Sequence, residues 1–265
     1  MKKSGIFLIP LLIFAVISIL GNRLFASGAI HPAMMVAIFA GAMLLMALIR
    51  PKTKSAGVSE KDLAILGEFA ADTFANDPQL SGKFQAALKD YASNMPKASL
   101  NKLAKLEPQC QTDADKYGVA MLTGLCHISS YDFAKAIPEL NKAVVIHPDA
   151  ELAMRIGSCQ QRLGELKKAK DSYEFAIDLD DSNADAWSSL ATVCVAQGKY
   201  DAALDNAMEA LERDNDHASA LATAAICYGV QDDPVMSKHY TDLALNSGYS
   251  ADKIKSTIEA LKKRK

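Results

Sequence analysis

A pattern of small residues recurs with a period of about 34 residues in the second half of the chain. Gly164 and Gly198 stand 34 positions apart, and each is followed five residues later by an alanine, Ala169 or Ala203. Each period closes on a turn rich in Asp and Asn, DLDDSN or ERDND. This spacing is typical of stacked helix pairs, in which each pair supplies half of its neighbour's core. The sequence therefore predicts an all-α chain whose core is distributed along a stack.

The unit that begins near Ala184 shows the pattern most clearly, with Trp187, then Leu190 and Ala191, then Gly198. These residues resemble the tetratricopeptide repeat, in which a large residue, a Leu and a small residue pack the first helix and a Gly turns the chain. Matching residues occupy three further units: Gly124, Phe133, Ala136, Leu140 and Ala143; Ile156, Gly157, Tyr173 and Ala176; Leu221, Ala225, Tyr228, Tyr240 and Ala244. The resemblance implies a solenoid of helical hairpins, with about four units between residues 112 and 248.

Helices are also expected on both sides of the repeats. Residues 249–265 are predicted to form a capping helix that begins at Ser250. Its inward-facing residues are predicted to be Ile254, Ile258 and Leu261. Residues 59–111 are predicted to contain extra helices without a repeat signature, one of which opens at Asp77-Pro78.

The first of these extra helices follows Ser59, which forms a capping pattern with Asp62. Its apolar residues fall on one helical face: Leu63, Leu66, Ala70 and Phe74.

Two apolar runs without Asp, Glu, Lys or Arg precede the helices, and His31 is the only titratable side chain in the second. Nineteen residues separate Lys3 from Arg23, and twenty-six separate Arg23 from Arg50. Each run is long enough to cross a bilayer as a helix. We therefore expect residues 1–50 to form a transmembrane hairpin. A cleaved signal peptide that ends near Ala26 is the alternative.

Basic residues flank the outer ends of the two runs. Lys2 and Lys3 precede the first run, and the linker of residues 51–58 continues the basic stretch that starts at Arg50. The positive-inside rule then places both termini in the cytoplasm. The MKK start and the compact hairpin favour a bacterial inner membrane protein that contacts lipid through its spans. The second run has one face of small residues suited to close helix packing: Ala33, Ala37 and Gly41.

Composition argues against two function classes. Residues 1–58 hold six of the 29 basic residues and no acid, so the remainder carries 23 basic against 31 acidic residues, a formal charge of −8. An acidic domain argues against nucleic-acid binding. No catalytic, phosphate-binding or metal-binding motif is found, so we expect neither an enzyme nor a cofactor.

Four of the five cysteines, Cys126, Cys159, Cys194 and Cys227, follow the repeat at spacings of 33, 35 and 33. This regularity favours a small apolar packing residue in each unit rather than a metal ligand or a disulfide.

Recognition of a protein remains as the expected function. The resemblance implies a concave groove formed by the first helix of each unit. The predicted partner-binding residues are Met121 and Leu125; Glu151, Met154, Ser158, Gln161 and Arg162; Asp185, Ser188, Thr192 and Val195; Ala222 and Ile226. This largely uncharged set suits a protein or peptide with an apolar segment.

Two alternatives stay open at this stage. In one, residues 59–106 fold back and fill the groove. In the other, the chain is a structural or regulatory subunit of a membrane complex whose specific contacts are made by the spans. The sequence leaves the oligomeric state undetermined.

Overall fold

The computed structural model describes residues 72–263. They belong to the second of two compact units, Ala56–Lys265. The predicted hairpin of residues 1–50, the linker 51–58 and the predicted helix that follows Ser59 lie outside the described residues. Within 72–263, no helix combines the length and the apolar character needed to cross a membrane.

Eleven α-helices and one short 3-10 helix, Glu107–Gln109, make up the regular structure of the described residues, which include no strand. The helices are α1 (Pro78–Ala92), α2 (Pro96–Leu106), α3 (Asp113–Ser129), α4 (Phe133–Ile146), α5 (Ala150–Arg162), α6 (Leu166–Leu179), α7 (Ala184–Ala196), α8 (Tyr200–Arg213), α9 (Ala218–Val230), α10 (Pro234–Asn246) and α11 (Ala251–Lys262).

The helices pack as successive pairs, and each pair contacts the next one along the chain. The pairs α3–α4, α5–α6, α7–α8 and α9–α10 are called the first to fourth units. The pair α1–α2 precedes them and packs on α3, although its sequence shows no repeat signature. The prediction of an all-α solenoid of helical hairpins is confirmed for the described residues.

Polar side chains fix where several helices begin. The Asp77 carboxylate accepts hydrogen bonds from the backbone N–H groups of Gln79 and Leu80, at 2.9 and 3.0 Å. Ser250 caps α11 by accepting from the Lys253 N–H. These contacts satisfy backbone donors that a helix start leaves free. Both predicted helix starts are confirmed.

Small residues let the two helices of a pair approach closely. A Cβ atom added to Gly124 would lie 2.6 Å from the Leu140 side chain, and one added to Gly157 would lie 2.8 Å from the Tyr173 ring. Gly164 and Gly198 have φ angles of +78° and +76°, a conformation that favours glycine at the turns between helices. The roles implied for these glycines are confirmed.

The core is a series of clusters along the stack. One cluster joins α1–α2 to the first and second units, and further clusters follow toward α11. Cys126, Cys159, Cys194 and Cys227 are each at most 2% exposed, and all are free thiols. Burial raises the pKa of Cys126 and Cys227 to about 12, so these thiols stay protonated. Their predicted packing role is confirmed.

The stack ends with α11, which packs on α9. Ile254 is 2% exposed, and Ile258 lies directly against Gly229. The predicted inward face of the capping helix is confirmed, because Ile258 and Leu261 also pack on the terminal cluster.

Candidate functional site

The predicted partner-binding residues fall into different environments. Five of them have side chains buried among the chain's own residues: Met121, Leu125, Ser188, Ala222 and Ile226. Met121 and Leu125 belong to the cluster with α1 and α2, whereas Ala222 and Ile226 pack with Ile254 near α11. The apolar members of the predicted groove therefore contribute largely to the core in this structure.

An open cleft of about 700 Å³ lies over the second unit. It brings together five predicted residues, Glu151, Met154, Ser158, Gln161 and Arg162, with Arg155, Tyr173 and Ser189. We call this surface the second-unit cleft. Its lining is mostly polar, so the structure replaces the expected apolar groove with a smaller site rich in hydrogen-bonding groups.

The remaining predicted residues lie in the third unit and do not line this cleft. Asp185 contacts the His217 ring at 3.0 Å, and the Thr192 hydroxyl donates to the Ser188 carbonyl at 3.0 Å. Val195 is half-buried between two core clusters. Thr192 thus bonds within the third unit, whereas Asp185 links the third unit to the start of the fourth.

Tyr173 reaches the cleft from the second helix of the unit because Gly157 has no side chain to block its ring. The Tyr173 hydroxyl donates a hydrogen bond to Gln161 Oε1 at 3.1 Å. Burial raises the pKa of Tyr173 to about 12, so the phenol keeps its proton near neutral pH. Because Gln161 Oε1 accepts this hydrogen bond, the NH₂ group of the Gln161 side chain points away from Tyr173.

Charges in the second-unit cleft are partly paired. Arg155 forms an ion pair with Glu151 at 2.9 Å, one helical turn apart. Arg162 is exposed at the C-terminal end of α5. The cleft therefore offers a guanidinium, an amide and a hydroxyl close to the thioether of Met154.

The equivalent face of the first unit is covered. Gly118, Met121, Leu122 and Leu125 stand 33 positions before Glu151, Met154, Arg155 and Ser158, and all four are buried. Thr73 lies against Gly118, since a Cβ atom added there would be 2.2 Å from the Thr73 hydroxyl oxygen. Residues upstream of α1 thus occupy part of the face that the second unit leaves open.

Asp115 holds this upstream segment in place. Its carboxylate accepts hydrogen bonds from the backbone N–H of Phe74 at 2.7 Å and from those of Gln111 and Thr112 at 3.0 and 2.9 Å. Burial alone would raise the pKa of Asp115, but these backbone hydrogen bonds outweigh it and lower the pKa below the usual range. The carboxylate is therefore charged at neutral pH.

A second cleft, of about 720 Å³, was not predicted from the sequence. It lies between the 3-10 helix, α3 and α4, and its apolar lining includes Val119, Pro138 and Ile146. Val145 at its edge is 83% exposed. The sequence does contain a signal for this cleft, namely the three consecutive apolar residues 144–146. A helix cannot bury three neighbouring side chains on one face, so at least one of them must be exposed.

Metal-ligating side chains are not brought together in the described part of the chain. No cluster of His, Cys, Asp and Glu there could hold a metal ion. The arrangement in the second-unit cleft is suited to binding by contact and hydrogen bonding.

Comparison with known proteins agrees with this architecture. Residues 150–183 and 184–217, the second and third units, each match the family model described as Tetratricopeptide repeat. Residues 150–217 therefore form two tetratricopeptide repeats. Because all four units have the same helix-pair arrangement, they are called the first to fourth repeats from here on.

A curated relative extends the match in sequence. The chain is 32% identical over 147 residues to Cellulose synthase operon protein C of Escherichia coli strain K12, which covers 52% of this chain and 12% of that protein. The chain therefore matches only a small part of this relative's length.

Solved structures resemble the fold at lower identity. The crystal structure of MamA protein aligns with a TM-score of 0.58 at 20% identity and covers 63% of this chain and 91% of that chain. YrrB, described as a TPR protein with an unusual peptide-binding site, aligns with a TM-score of 0.55 at 20% identity and covers 66% and 90%. At these identities the resemblance establishes the fold alone.

Proposed function

We propose that the chain is a membrane-anchored scaffold that holds a protein partner in the second-unit cleft. The observation that carries the proposal is that this cleft stays open although the matching face of the first repeat is covered. Its volume of about 700 Å³ falls within the range of specific binding pockets. The peptide-binding site named for YrrB supports the same class of function.

The partner presents a short segment with one apolar side chain and exposed backbone carbonyls. Met154 supplies a flexible apolar contact that adapts to the shape of that side chain. The Gln161 amide and the Ser158 hydroxyl supply hydrogen bonds that fix the register of the segment. Arg162 adds a cation at the end of the cleft, so a carbonyl or carboxylate oxygen is favoured there.

The anchor is the predicted hairpin of residues 1–50, which contacts membrane lipid. The proposed location is a bacterial inner membrane, with the repeats in the cytoplasm. Support comes from the two uncharged runs, from the basic residues at their outer ends and from the free, buried thiols of the repeats. The role is recognition, and any catalysis belongs to the partner.

The test is a crosslinking pull-down with the full-length chain in its membrane. Arg162→Glu reverses the charge in the cleft, and Lys167→Glu is the matched reversal at an exposed position on α6 outside the cleft lining. Ser158→Tyr fills the cleft without changing charge. We expect Arg162→Glu and Ser158→Tyr to lose one dominant partner that Lys167→Glu retains.

The same experiment separates the scaffold from the alternative of a subunit that binds through its spans. Ala37→Leu with Gly41→Leu would disrupt close packing in the second span. Partner loss with these span variants alone, while Arg162→Glu and Ser158→Tyr keep every partner, would overturn the scaffold proposal.

A further inference from the structure

Two neighbouring glutamines of α5 form equivalent hydrogen bonds with two neighbouring residues of α6. The Tyr173 hydroxyl donates to Gln161 Oε1 at 3.1 Å, and the Ser172 hydroxyl donates to Gln160 Oε1 at 2.7 Å. Each bond engages the oxygen of an amide and leaves the donors of its NH₂ group outside the contact. Consecutive residues of a helix point about 100° apart, so the two amides serve different sides of α5.

Gln160 lines a cleft that is separate from the second-unit cleft. This cleft lies between α4, α5 and α6 and has a volume of about 320 Å³, which is within the range of small-ligand sites. We call it the α4–α6 cleft. It faces the first repeat, whereas the second-unit cleft extends to Ser189 of the third repeat, and the two clefts share no lining residue.

The walls of the α4–α6 cleft are apolar and carry no net charge. Val144, Ile156 and Phe175 form its apolar part. Ile156 is buried in the core, but the Phe175 side chain stays 40% exposed, so a bound apolar group can cover it. Lys168 and Asp171 add one charge of each sign to the lining. The walls therefore suit an uncharged ligand with an apolar side chain.

The Gln160 amide gives the cleft its specificity. The residue is only 8% exposed, and within residues 72–263 its NH₂ group has no hydrogen-bond partner, although this group is not sealed from solvent. Because Ser172 holds Oε1, the NH₂ group is what Gln160 offers to the cleft that it lines. A donor at the base of a narrow cleft must be satisfied by whatever occupies the cleft, since an unpaired amide loses free energy away from water.

The matching pairs in the third and fourth repeats are satisfied within their own helices. In the third repeat, the Asn206 amide donates to the Ala202 carbonyl at 2.6 Å and lies 3.9 Å from the Cys194 sulfur. In the fourth, the rings of Tyr228 and Tyr240 stack with their centroids 5.5 Å apart. The second repeat differs, because its pair leaves an amide donor for a ligand.

We propose that the α4–α6 cleft is a second binding site, which takes a short uncharged polypeptide segment. A backbone carbonyl of the segment accepts from the Gln160 NH₂ group, and an adjacent apolar side chain covers Phe175. Every residue of a polypeptide supplies such a carbonyl, and the neutral walls favour a segment without charge. The second repeat then contacts polypeptide on two sides of α5, one of which is independent of the second-unit cleft.

The test is a titration of the full chain in detergent micelles with N-acetyl-leucine N-methylamide, a probe that carries backbone carbonyls and one apolar side chain. Labelling the glutamine side chains with ¹⁵N gives eight NH₂ groups to follow by nuclear magnetic resonance, since the chain has eight glutamines. Gln160→Met removes one of these groups and so assigns the Gln160 signals.

Two variants remove the donor, and one serves as the control. Gln160→Glu keeps the shape of the side chain and the oxygen that Ser172 contacts, but it replaces the NH₂ group with an oxygen that repels a carbonyl. Gln160→Met removes the donor without adding a charge, so it serves if the buried carboxylate prevents folding. Gln79→Met is the matched substitution at an exposed position on α1.

We expect the probe to shift the Gln160 NH₂ signals saturably while the Gln79 signals stay in place. The affinity, measured by saturation transfer to the methyl groups of the probe, should fall about tenfold in Gln160→Glu and Gln160→Met, because one hydrogen bond is lost. Gln79→Met should bind as the wild type does. N-acetyl-alanine N-methylamide should bind more weakly than the leucine probe, since it covers less of Phe175.

Three results would overturn the proposal. Gln160 signals that do not move during the titration would mean that water alone satisfies this amide. Equal affinity in the wild type and in both Gln160 variants would mean that no carbonyl is recognised there. Shifts confined to the Gln161 signals would place the probe in the second-unit cleft, so this inference would fail while the proposed function stood.

Discussion

The first and second repeats share a backbone plan but differ in what lies over the matching faces of their first helices, α3 and α5. Both place a glycine where the paired helix crosses, Gly124 against Leu140 and Gly157 against Tyr173. The first repeat carries buried apolar side chains on this face of α3, and the upstream residue Thr73 contacts it at Gly118. The second turns polar side chains outward and stays open. One repeat pattern thus produces a structural unit and a candidate recognition unit.

The difference follows from solvation. Apolar groove residues contribute about 25 cal/mol for each Å² removed from water, so the chain gains stability by covering them. Polar groove residues would lose hydrogen bonds with water if they were covered without partners. Substitutions at matched positions can separate these two cases.

Leu140→Ala should have the largest effect, because it removes a fully buried side chain at the helix crossing of the first repeat. We expect a loss of about 2–5 kcal/mol in the free energy of unfolding, measured by urea denaturation followed by circular dichroism. Val145→Ala on the same helix is the control, with an expected change within about 0.5 kcal/mol, since Val145 is 83% exposed. Similar losses for both variants would contradict the assignment of Leu140 to the core.

Asp115→Asn should weaken the attachment of the upstream segment to the first repeat. The amide accepts fewer and weaker hydrogen bonds than the carboxylate, so we expect a loss of about 1–3 kcal/mol by the same measurement. Asp113→Asn, at an exposed position two residues earlier, should change stability little.

The pH dependence of the Asp115 contribution has a defined sign. Its pKa in the folded state is lowered, so its contribution is complete above the unfolded-state pKa, about 3.9, and is lost as the pH falls through the folded pKa. Wild type should therefore lose more stability than Asp115→Asn on acidification below about pH 4. If the free energy of unfolding fell equally with pH in both proteins, ionised Asp115 would not contribute to the stability of the fold.

Gly157→Ala tests the crossing in the second repeat. The added methyl group would lie 2.8 Å from the Tyr173 ring, and we expect a loss of about 1–3 kcal/mol from overpacking. Gly82→Ala in α1 is the matched control, because nothing lies within 4 Å of its added Cβ atom. That variant should gain about 0.5–1 kcal/mol from helix propensity. If the two variants shifted the thermal unfolding temperature in the same direction, the close approach of Tyr173 to Gly157 would be contradicted.

Tyr173→Phe should have the smallest effect on stability, about 0.5–1.5 kcal/mol, because it removes only the hydroxyl that donates to Gln161. It should nevertheless reduce partner capture in the pull-down, since the Gln161 amide loses the contact that orients it. Tyr131→Phe, which removes a hydroxyl from a side chain that is 66% exposed, is the control for both measurements. Unchanged capture in Tyr173→Phe would remove Gln161 from the proposed binding contacts.

Much of the local structure could be predicted because its causes are close together in the chain. Asp77 and Ser250 cap helices through backbone groups two or three residues away, and Gly164 and Gly198 turn the chain by their own conformation. The repeat period arises because the same pattern of helix-packing residues and turns recurs in each unit. The predicted membrane hairpin and its packing residues Ala33, Ala37 and Gly41 stay predictions.

The candidate site depended on contacts between distant parts of the chain. Nothing near Met121 or Leu125 in the sequence indicates that their face is covered, because Thr73 meets Gly118 from 45 positions away. The burial of Ala222 and Ile226 likewise accompanies the packing of α11 at the end of the stack. The sequence by itself determined the helix pairs, their caps and their period, which are set by neighbouring residues. Only the tertiary structure decided which groove positions remain open, because solvent exposure depends on every segment that packs against a surface.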